Sequence, residues 1–214
     1  MTAGAKSTAA TDAPDERVRC AWIDESRLSA DDFVLYRDYH DTEWGRPLRG
    51  SKALFERVTL EAFQSGLSWL IILRKRENFR RVFHRFDVER IARYRDSDIS
   101  RLLADTGIVR NRAKIEATIA NARAVVDLDV DLGELLWSFA PPPRPRPADI
   151  THVPAVTAES TAMAKELKRR GFRFVGPTTA YALMQATGMV DDHTTDCWVP
   201  ATFQSPADAP PRRS

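Results

Sequence analysis

The sequence predicts an all-α protein. Between residues 18 and 200, apolar side chains recur at spacings of three and four, which is the period of a helix. No segment shows the sustained two-residue alternation that indicates strands, and there is no internal repeat. The 214 residues are enough for one good-sized core or two small lobes, and 43% hydrophobic with 29% charged residues is an ordinary globular composition.

The first predicted helix carries an aromatic stripe. Tyr36, Tyr39 and His40 are spaced i, i+3, i+4, and Trp44 follows four residues later, so one helix face would hold all four side chains. Gly45 would end the helix. Each of these side chains has a polar atom that needs a partner when it is buried. Two interpretations stay open: a core stripe with a satisfied histidine, or a stacking pocket for a flat ligand beside a metal ligand.

The second predicted helix begins at Ser51 and places a carboxylate on its apolar face. Glu61 projects from the face formed by Leu54, Phe55, Val58 and Ala62. Burying a carboxylate is costly unless it is paired, and such groups are enriched at functional sites. A side chain that turns to solvent or pairs with an arginine would explain the same pattern.

The later helices follow in order along the chain. We predict them over 67–73, from Asp96 or Ser97 toward Gly107, from Asn111 onward, and over 132–139, 160–170 and 180–186. The proline-rich stretch 141–147 is a stiff connector. Residues 1–17 and 201–214 contain almost no large apolar side chains, so we predict disordered tails on either side of one domain over 18–200.

A glycine turn precedes the last helix. Gly176 is followed by Thr178 and Thr179, and Arg173 and other basic residues flank the turn. The start of a helix leaves backbone N–H groups free and carries positive potential, so a phosphate can sit there. The pattern predicts a contact with a DNA backbone, and an ordinary helix–helix corner is the alternative.

Two cysteines and two histidines suggest a metal site. His193 and Cys197 have a spacing that fits two of four zinc ligands, and Cys20 and His40 could provide the others. Two free thiols with core histidines, or a disulfide between the two cysteines, would also fit this composition.

Together, these stretches resemble 3-methyladenine DNA glycosylase I, the zinc-containing branch of the helix-hairpin-helix glycosylases. The resemblance covers about residues 18–200. It rests on Cys20-Ala-Trp22, Tyr36-x-x-Tyr39-His40-Asp-x-Glu-Trp44-Gly45, Leu60-Glu61-x-x-Gln64-x-Gly66-Leu-Ser-Trp69, Lys75-Arg-Glu-Asn78, Gly107-Ile-Val-Arg-Asn-Arg-x-Lys114-Ile, Trp137-Ser-Phe139, Lys168-Arg-Arg-Gly171-Phe-x-Phe-Val-Gly176, Met184-Gln-Ala and Asp192-His193.

The resemblance implies a two-lobed helix-hairpin-helix fold and a DNA-repair enzyme. Such an enzyme flips a damaged nucleotide out of duplex DNA, cleaves the N-glycosidic bond of N3-methyladenine and leaves an abasic site. The family's zinc is structural, and its ligands map onto Cys20, His40, His193 and Cys197. No lysine follows Gly176 in this chain, so we expect a monofunctional enzyme without lyase activity.

The resemblance also assigns the pocket residues. Glu61 corresponds to the base-reading carboxylate and is the candidate catalytic residue. The aromatic pocket maps onto Tyr36, Tyr39, Trp44, Trp69 and, from a matching nearby aromatic, Trp22. Asp191 lies in the Val190-Asp-x-His context that the wider superfamily uses for a catalytic aspartate, so it is a candidate electrostatic helper.

The chain departs from the family pattern in two places. Asp24 to Asp32 would be a longer, acidic loop, and Ala62-Phe63 replaces smaller or polar residues beside the glutamate. No apolar run reaches 18 residues and no secretory signal is evident, so we expect a cytoplasmic protein. The resemblance implies that it acts as a monomer on damaged double-stranded DNA. The rival classes are a non-catalytic zinc-stabilised DNA-binding module, a disulfide-linked scaffold and a glycosylase of altered base specificity.

Overall fold

The computed structural model describes residues 15–201, and all regular structure in this range is helical. This confirms the all-α prediction. The α-helices are α1 (Ala30–Thr42), α2 (Ser51–Gln64), α3 (Trp69–Val82), α4 (Val88–Ala92), α5 (Asp96–Ala104), α6 (Arg112–Val126), α7 (Leu132–Trp137), α8 (Ala158–Arg169) and α9 (Pro177–Ala186). Single turns of 3-10 helix lie at Glu25–Arg27, His84–Phe86 and Ile150–His152.

Helix α1 is shorter at its carboxyl end than the aromatic stripe predicted. It begins after Ser29, whose hydroxyl accepts a hydrogen bond from the backbone N–H of Asp32. It ends at Thr42, so the prediction that Trp44 belongs to the same helix was wrong. The backbone leaves the helix at Glu43, whose φ and ψ are −121° and −50°, before it reaches the Gly45 that was expected to end the helix.

Helix α2 is the central element of the core. It begins at Ser51 as predicted and packs against α3, α6, α7 and α9. Most of its residues are buried, including the predicted apolar face of Leu54, Phe55, Val58 and Ala62. The polar residues that are buried in this helix are Arg57, Thr59 and Glu61, and they must find partners inside the protein or contact a ligand.

Helices α8 and α9 pack against each other and are joined by residues 170–176. Helix α9 starts at Pro177, three residues earlier than predicted, because proline suits the first helical position. The turn is fastened to α6 by Asn121, whose amide accepts from the backbone N–H of Arg173 at 2.7 Å and donates to its carbonyl at 3.1 Å.

The acidic segment Asp24–Asp32 is more ordered than the predicted loop. It contains the 3-10 turn Glu25–Arg27 and the first residues of α1, and Asp32 forms an ion pair with Arg74 of α3.

Most basic residues of the Arg74–Arg85 run pair with nearby acids in the same way. These pairs are Arg76–Glu43, Arg80–Glu56, Arg80–Glu77 and Arg81–Asp105.

The predicted tails fall almost entirely outside the residues that the structure describes. Of their residues, only 15–17 and 201 are described, and there the Asp15 carboxylate pairs with Arg17 and Arg19. Among residues 15–201, no helix combines the length and the apolar character needed to cross a membrane.

Candidate functional site

A cavity of about 130 Å³ opens between α1, α2, α3 and α9. The structure brings together in its wall all six residues that the sequence assigned to a base pocket. The lining consists of Trp22, Tyr36, Tyr39, Trp44, Glu61, Gln64, Trp69, Ala182, Gln185 and Ala186. Five aromatic rings and one carboxylate around a space of this size form a site for a small flat ligand.

The aromatic rings contact one another edge to face around this cavity. Trp22 lies 5.0 Å from Tyr36 and 5.2 Å from Trp44 between ring centroids, with steep interplanar angles. Tyr39 and Trp69 lie 5.3 Å apart and are tilted by 42°. The indole Nε1 of Trp69 is buried and has no hydrogen-bond partner among the described residues, so a donor remains available beside the cavity.

Glu61 is the buried carboxylate of this site. Only 4% of the residue is exposed, and no group within residues 15–201 donates a hydrogen bond to it. Burial raises its pKa to about 7, and the positive charge of Arg57 opposes that rise. An acceptor that is buried without a donor is costly, so this carboxylate is set up to receive hydrogen bonds from a ligand.

Arg57 is a residue of this site that the sequence analysis missed. It lies one turn before Glu61 on α2 and is itself 7% exposed. Its Nη1 donates to the phenol oxygen of Tyr39 at 2.9 Å, and its Nη2 lies 3.5 Å from Glu43. The i, i+4 spacing from a suspected functional carboxylate was the available clue, because residues at that spacing are neighbours on a helix. Gln64 and Gln185 were also not predicted to line the pocket.

Gln185 connects the pocket wall to a second buried carboxylate. Its amide nitrogen donates to Asp192 at 2.9 Å. Asp192 also accepts from the Tyr181 hydroxyl at 2.6 Å and from Arg144 at 2.7 Å. Three donors satisfy this carboxylate, so it holds the wall in place without facing the cavity as an open acceptor.

Asp191, the candidate electrostatic helper, does not line the cavity. It is buried and forms an ion pair with Arg146 at 2.9 Å. Its other oxygen accepts from the backbone N–H of His193 at 3.3 Å. Through these contacts Asp191 stabilises the conformation of the segment after α9.

The four predicted metal ligands converge. Cys20, His40, His193 and Cys197 are all buried, and their ligand atoms lie within 4.8 Å of one another. The Cys197 sulfur is 3.6 Å from His40 Nε2 and 3.4 Å from His193 Nδ1, and the Cys20 sulfur is 3.6 Å from His193 Nδ1. Bond lengths typical of zinc give a sulfur–nitrogen edge of about 3.5 Å in a tetrahedron, so the spacing fits a tetrahedral metal.

The outer nitrogens of both histidines have acceptors. His40 Nδ1 lies 2.7 Å from the Asp41 carboxylate, which is held in turn by Arg19 at 2.9 Å. His193 Nε2 lies 3.1 Å from the carbonyl oxygen of Trp44. Partners of this kind place the proton on the outer nitrogen and leave the inner nitrogen free to bind a metal. Both cysteines are free thiols in the structure.

The pocket and the metal cluster share one wall. Tyr39 lines the cavity and the next residue, His40, belongs to the cluster. The ring of Trp44 lines the cavity and its carbonyl contacts His193. At Gly45, a Cβ atom would lie 2.9 Å from His193 Nε2, so there is no room for a side chain between the two sites.

The predicted phosphate contact lies apart from the cavity lining, at the other end of α9. Gly176 and Thr178 are exposed, Thr179 is half-buried, and no side chain caps this helix start. Arg173 is exposed in the preceding turn. Uncapped N–H groups at a helix start provide an anion site, and the same helix leads from them to Ala182 and Gln185 in the cavity wall.

Comparison with known proteins agrees with this geometry. The family model for methyladenine glycosylase matches residues 29–200. The DNA-3-methyladenine glycosylase 1 of Escherichia coli K12 is 42% identical over 184 residues, which cover 84% of this chain and 95% of that protein.

Two solved structures of 3-methyladenine DNA glycosylase I are similar over most of their length. A crystal structure with 45% identity and a TM-score of 0.78 covers 85% of this chain and 98% of its own. A tyrosine-to-phenylalanine variant in complex with 3-methyladenine has 33% identity and a TM-score of 0.77, and it covers 85% of this chain and 97% of its own.

Proposed function

Because the chain belongs to the methyladenine glycosylase family, we propose that it hydrolyses the N-glycosidic bond of 3-methyladenine in DNA and leaves an abasic site. The observation that carries this proposal is Glu61, a buried carboxylate without a hydrogen-bond donor, set among five aromatic rings.

The pocket has the chemistry to select a cationic base. Adenine that is methylated at N3 in DNA carries a positive charge, and the electron-rich faces of tyrosine and tryptophan attract cationic rings. Stacking on an aromatic side chain contributes about 1–3 kcal/mol per base. The ionised Glu61 carboxylate would accept the exocyclic amino hydrogens and add an attraction that neutral adenine does not receive.

We propose that the nucleotide leaves the duplex to reach Glu61, and the enclosed position of this residue supports that step. At 4% exposure its carboxylate is beyond the reach of a base that is still stacked. Turning the nucleotide out of the stack costs a few kcal/mol and costs least for a damaged base. We propose that Leu67, which is 37% exposed in the turn between α2 and α3, fills the gap that the flipped base leaves.

The chemical step is a hydrolysis with a good leaving group. The bond between the sugar C1′ and the base N9 breaks, and its electron pair moves to the base, which departs as neutral 3-methyladenine. Water adds to C1′ and releases one proton. The residues of the pocket bind and orient the base, and the absence of a lysine in Gly176-Pro-Thr-Thr supports a monofunctional glycosylase.

We propose zinc as the metal, bound by Cys20, His40, His193 and Cys197. The two thiolates and two imidazoles suit zinc, and four protein ligands leave no position for a reacting water. The ion would therefore supply structure alone. It would hold α1, which carries Tyr36 and Tyr39, against the segment that follows α9.

We propose that the helix start at Gly176, Thr178 and Thr179, with Arg173, contacts the backbone of damaged double-stranded DNA. Uncapped backbone N–H groups and a nearby guanidinium are a common arrangement for holding a phosphate. In this arrangement a monomer provides both the backbone contact and the pocket.

The deciding experiment is base release from methylated duplex DNA with the products identified by mass. The proposal predicts free 3-methyladenine and abasic sites without strand cleavage. Binding of DNA without any base release would instead indicate a non-catalytic DNA-binding module. Release of a different methylated base would indicate altered specificity.

A further inference from the structure

Arg57 is a buried cation placed directly behind the base pocket. Its Nη1 donates to the Tyr39 hydroxyl at 2.9 Å, and its guanidinium carbon lies 5.4 Å from the ring centroids of both Tyr39 and Trp69. It precedes Glu61 by one helical turn, so the two charges face the same side of α2. One arginine therefore contacts two rings of the pocket, and its positive charge acts on the Glu61 carboxylate one helical turn away.

The surrounding charges are balanced only when Glu61 is ionised. Glu43 lies 3.5 Å from Arg57 and accepts two hydrogen bonds from Arg76, at 2.6 and 2.7 Å. Two arginines then face two glutamates. If Glu61 were protonated, the cluster would carry a net positive charge and would repel a cationic base, whereas its ionised form gives a balanced cluster with a negative end in the pocket.

We propose that Arg57 is a positioning residue of the base pocket: it keeps the Glu61 carboxylate ionised and fixes the Tyr39 phenol, and it thereby sets the preference for a cationic base. This inference rests on the proposed function. It concerns a residue that does not line the cavity and acts on the ligand through Glu61 and the rings of Tyr39 and Trp69.

A dependence on pH follows from this arrangement. Glu61 has a pKa raised to about 7 by burial, with Arg57 as the charge that opposes the rise. The other charged or titratable groups close to this side of α2 are Tyr36, Tyr39 and Glu43 from α1, Arg76 from α3 and Lys114 from α6; α9 presents the uncharged Gln185. Lys114 is occupied by the carbonyls of Phe63 and Ser65.

The test is the pH profile of single-turnover excision of 3-methyladenine from duplex DNA. The wild type should gain activity as the pH rises through about 7, with the ionisation of Glu61. Arg57→Gln should move this rise in activity to a higher pH by about one unit or more, because a nearby opposite charge typically shifts a pKa by about 1–3 units. The loss at pH 7 should be about fivefold or greater, with recovery near pH 9.

Arg57→Lys keeps the positive charge, so its excision activity should rise at the same pH as in the wild type. Arg80→Gln is the matched control, because it removes the same charge from α3 at a site where the arginine pairs with Glu56 and Glu77. If Arg57→Gln does not fold, Arg57→Met tests the same loss of charge with a side chain that needs no hydrogen-bond partner.

A loss of activity that is equal at every pH, or an equal loss in the lysine variant, would overturn the inference and leave Arg57 a packing residue. A wild type that releases no base at any pH would instead refute the proposed function itself. The two failures are therefore distinguishable in one experiment.

Discussion

Buried carboxylates in two regions of the molecule differ in their hydrogen bonding. The one in the pocket lining has no donor within residues 15–201, whereas those in the segment after α9 are paired. Glu61 in the pocket is 4% exposed and accepts no hydrogen bond from the described residues, whereas Asp192, at 2% exposure, accepts three. Asp191 pairs with Arg146 and also accepts from the backbone. Burial alone therefore does not mark a functional acid. The acid that accepts no hydrogen bond in the part of the chain that the structure describes is the one that lines the cavity with the five aromatic rings.

This difference separates two kinds of buried acid: those whose hydrogen bonds stabilise the fold, and the one beside the cavity that is left without a described donor. A satisfied carboxylate stabilises the fold because its donors replace the water that it lost. An unsatisfied one destabilises the free protein, and a ligand that supplies the missing donors recovers that free energy on binding. The comparison predicts opposite effects of neutralising the two kinds of acid.

Glu61→Gln should give the largest change. Excision of 3-methyladenine should fall about 100-fold or more, which is the size of effect seen when a well-placed electrostatic group is removed from an active site. The free base should also bind more weakly by calorimetry. Glu56→Gln, on another face of α2 and paired with Arg80, is the control and should behave as the wild type. Unchanged affinity for the base would remove Glu61 from its role.

The same variant should be more stable than the wild type above neutral pH. The pKa of Glu61 is raised from 4.5 to about 7 in the folded protein, so the folded state binds more protons than the unfolded state between these values. Stability is then lost as the pH rises through that window, and Glu61→Gln should remove a cost of about 1–3 kcal/mol at pH 8. Urea unfolding at pH 5 and pH 8 measures this, and a variant less stable at pH 8 would contradict it.

Cys197→Ser should have the largest effect on stability. Losing one of four ligands should lower zinc content and the free energy of unfolding by several kcal/mol, because metal binding is coupled to folding. Excision should fall as well, since Tyr39 and His40 are adjacent on α1. Metal analysis and thermal unfolding test this, with Thr195→Ser as the neighbouring control. A wild-type protein purified without zinc would refute the proposed metal.

Asp192→Asn should cost about 1–3 kcal/mol of stability, because Arg144 and Tyr181 lose a charged acceptor. Excision should fall only a fewfold, through the loosened Gln185 in the pocket wall. Thermal unfolding and single-turnover kinetics measure the two effects. A loss of excision as large as that of Glu61→Gln would break the distinction between the two acids.

Asp191→Asn should have the smallest effect on catalysis. Its ion pair with Arg146 lies outside the cavity lining, so excision should stay within about tenfold of the wild type, the range expected for a residue without a catalytic role. Stability should fall by about 1–3 kcal/mol. A loss of excision beyond tenfold with normal stability would assign Asp191 to the reaction.

The sequence predicted the elements whose boundaries depend on local chemistry. Asn111 caps α6 and Ser51 begins α2, as their side chains indicated. Residues 74–82 were not recognised as the continuation of α3, because their charged run hides the apolar face that Phe79 and Val82 provide. Trp44 was placed inside α1 because Gly45 was the predicted stop, whereas the backbone already leaves the helix at Glu43, a residue type that gives no stop signal.

The sequence identified those residues of the site whose side-chain type is unusual for a helix surface. The aromatic stripe, Glu61 and the four metal-ligand candidates could be named from residue type and spacing, but only the resemblance to the glycosylase family decided between their functional and structural roles. Arg57 was missed although it lies four residues before Glu61, because an arginine on a helix ordinarily faces solvent. Only the tertiary contacts with Tyr39 and Glu43 show that this one is enclosed.

The span of the metal cluster has a consequence for the order of assembly during folding. Cys20 and His193 are 173 residues apart, and closing a flexible loop of that length costs about 4–5 kcal/mol of chain entropy. Only His193 and Cys197 are neighbours in sequence, so the early chain offers the ion two ligands at most. A contact of such high sequence separation forms late, and the tight site arises after the helices between its halves have packed. Zinc would then bind late and stabilise a fold that is almost complete, and it would not nucleate folding.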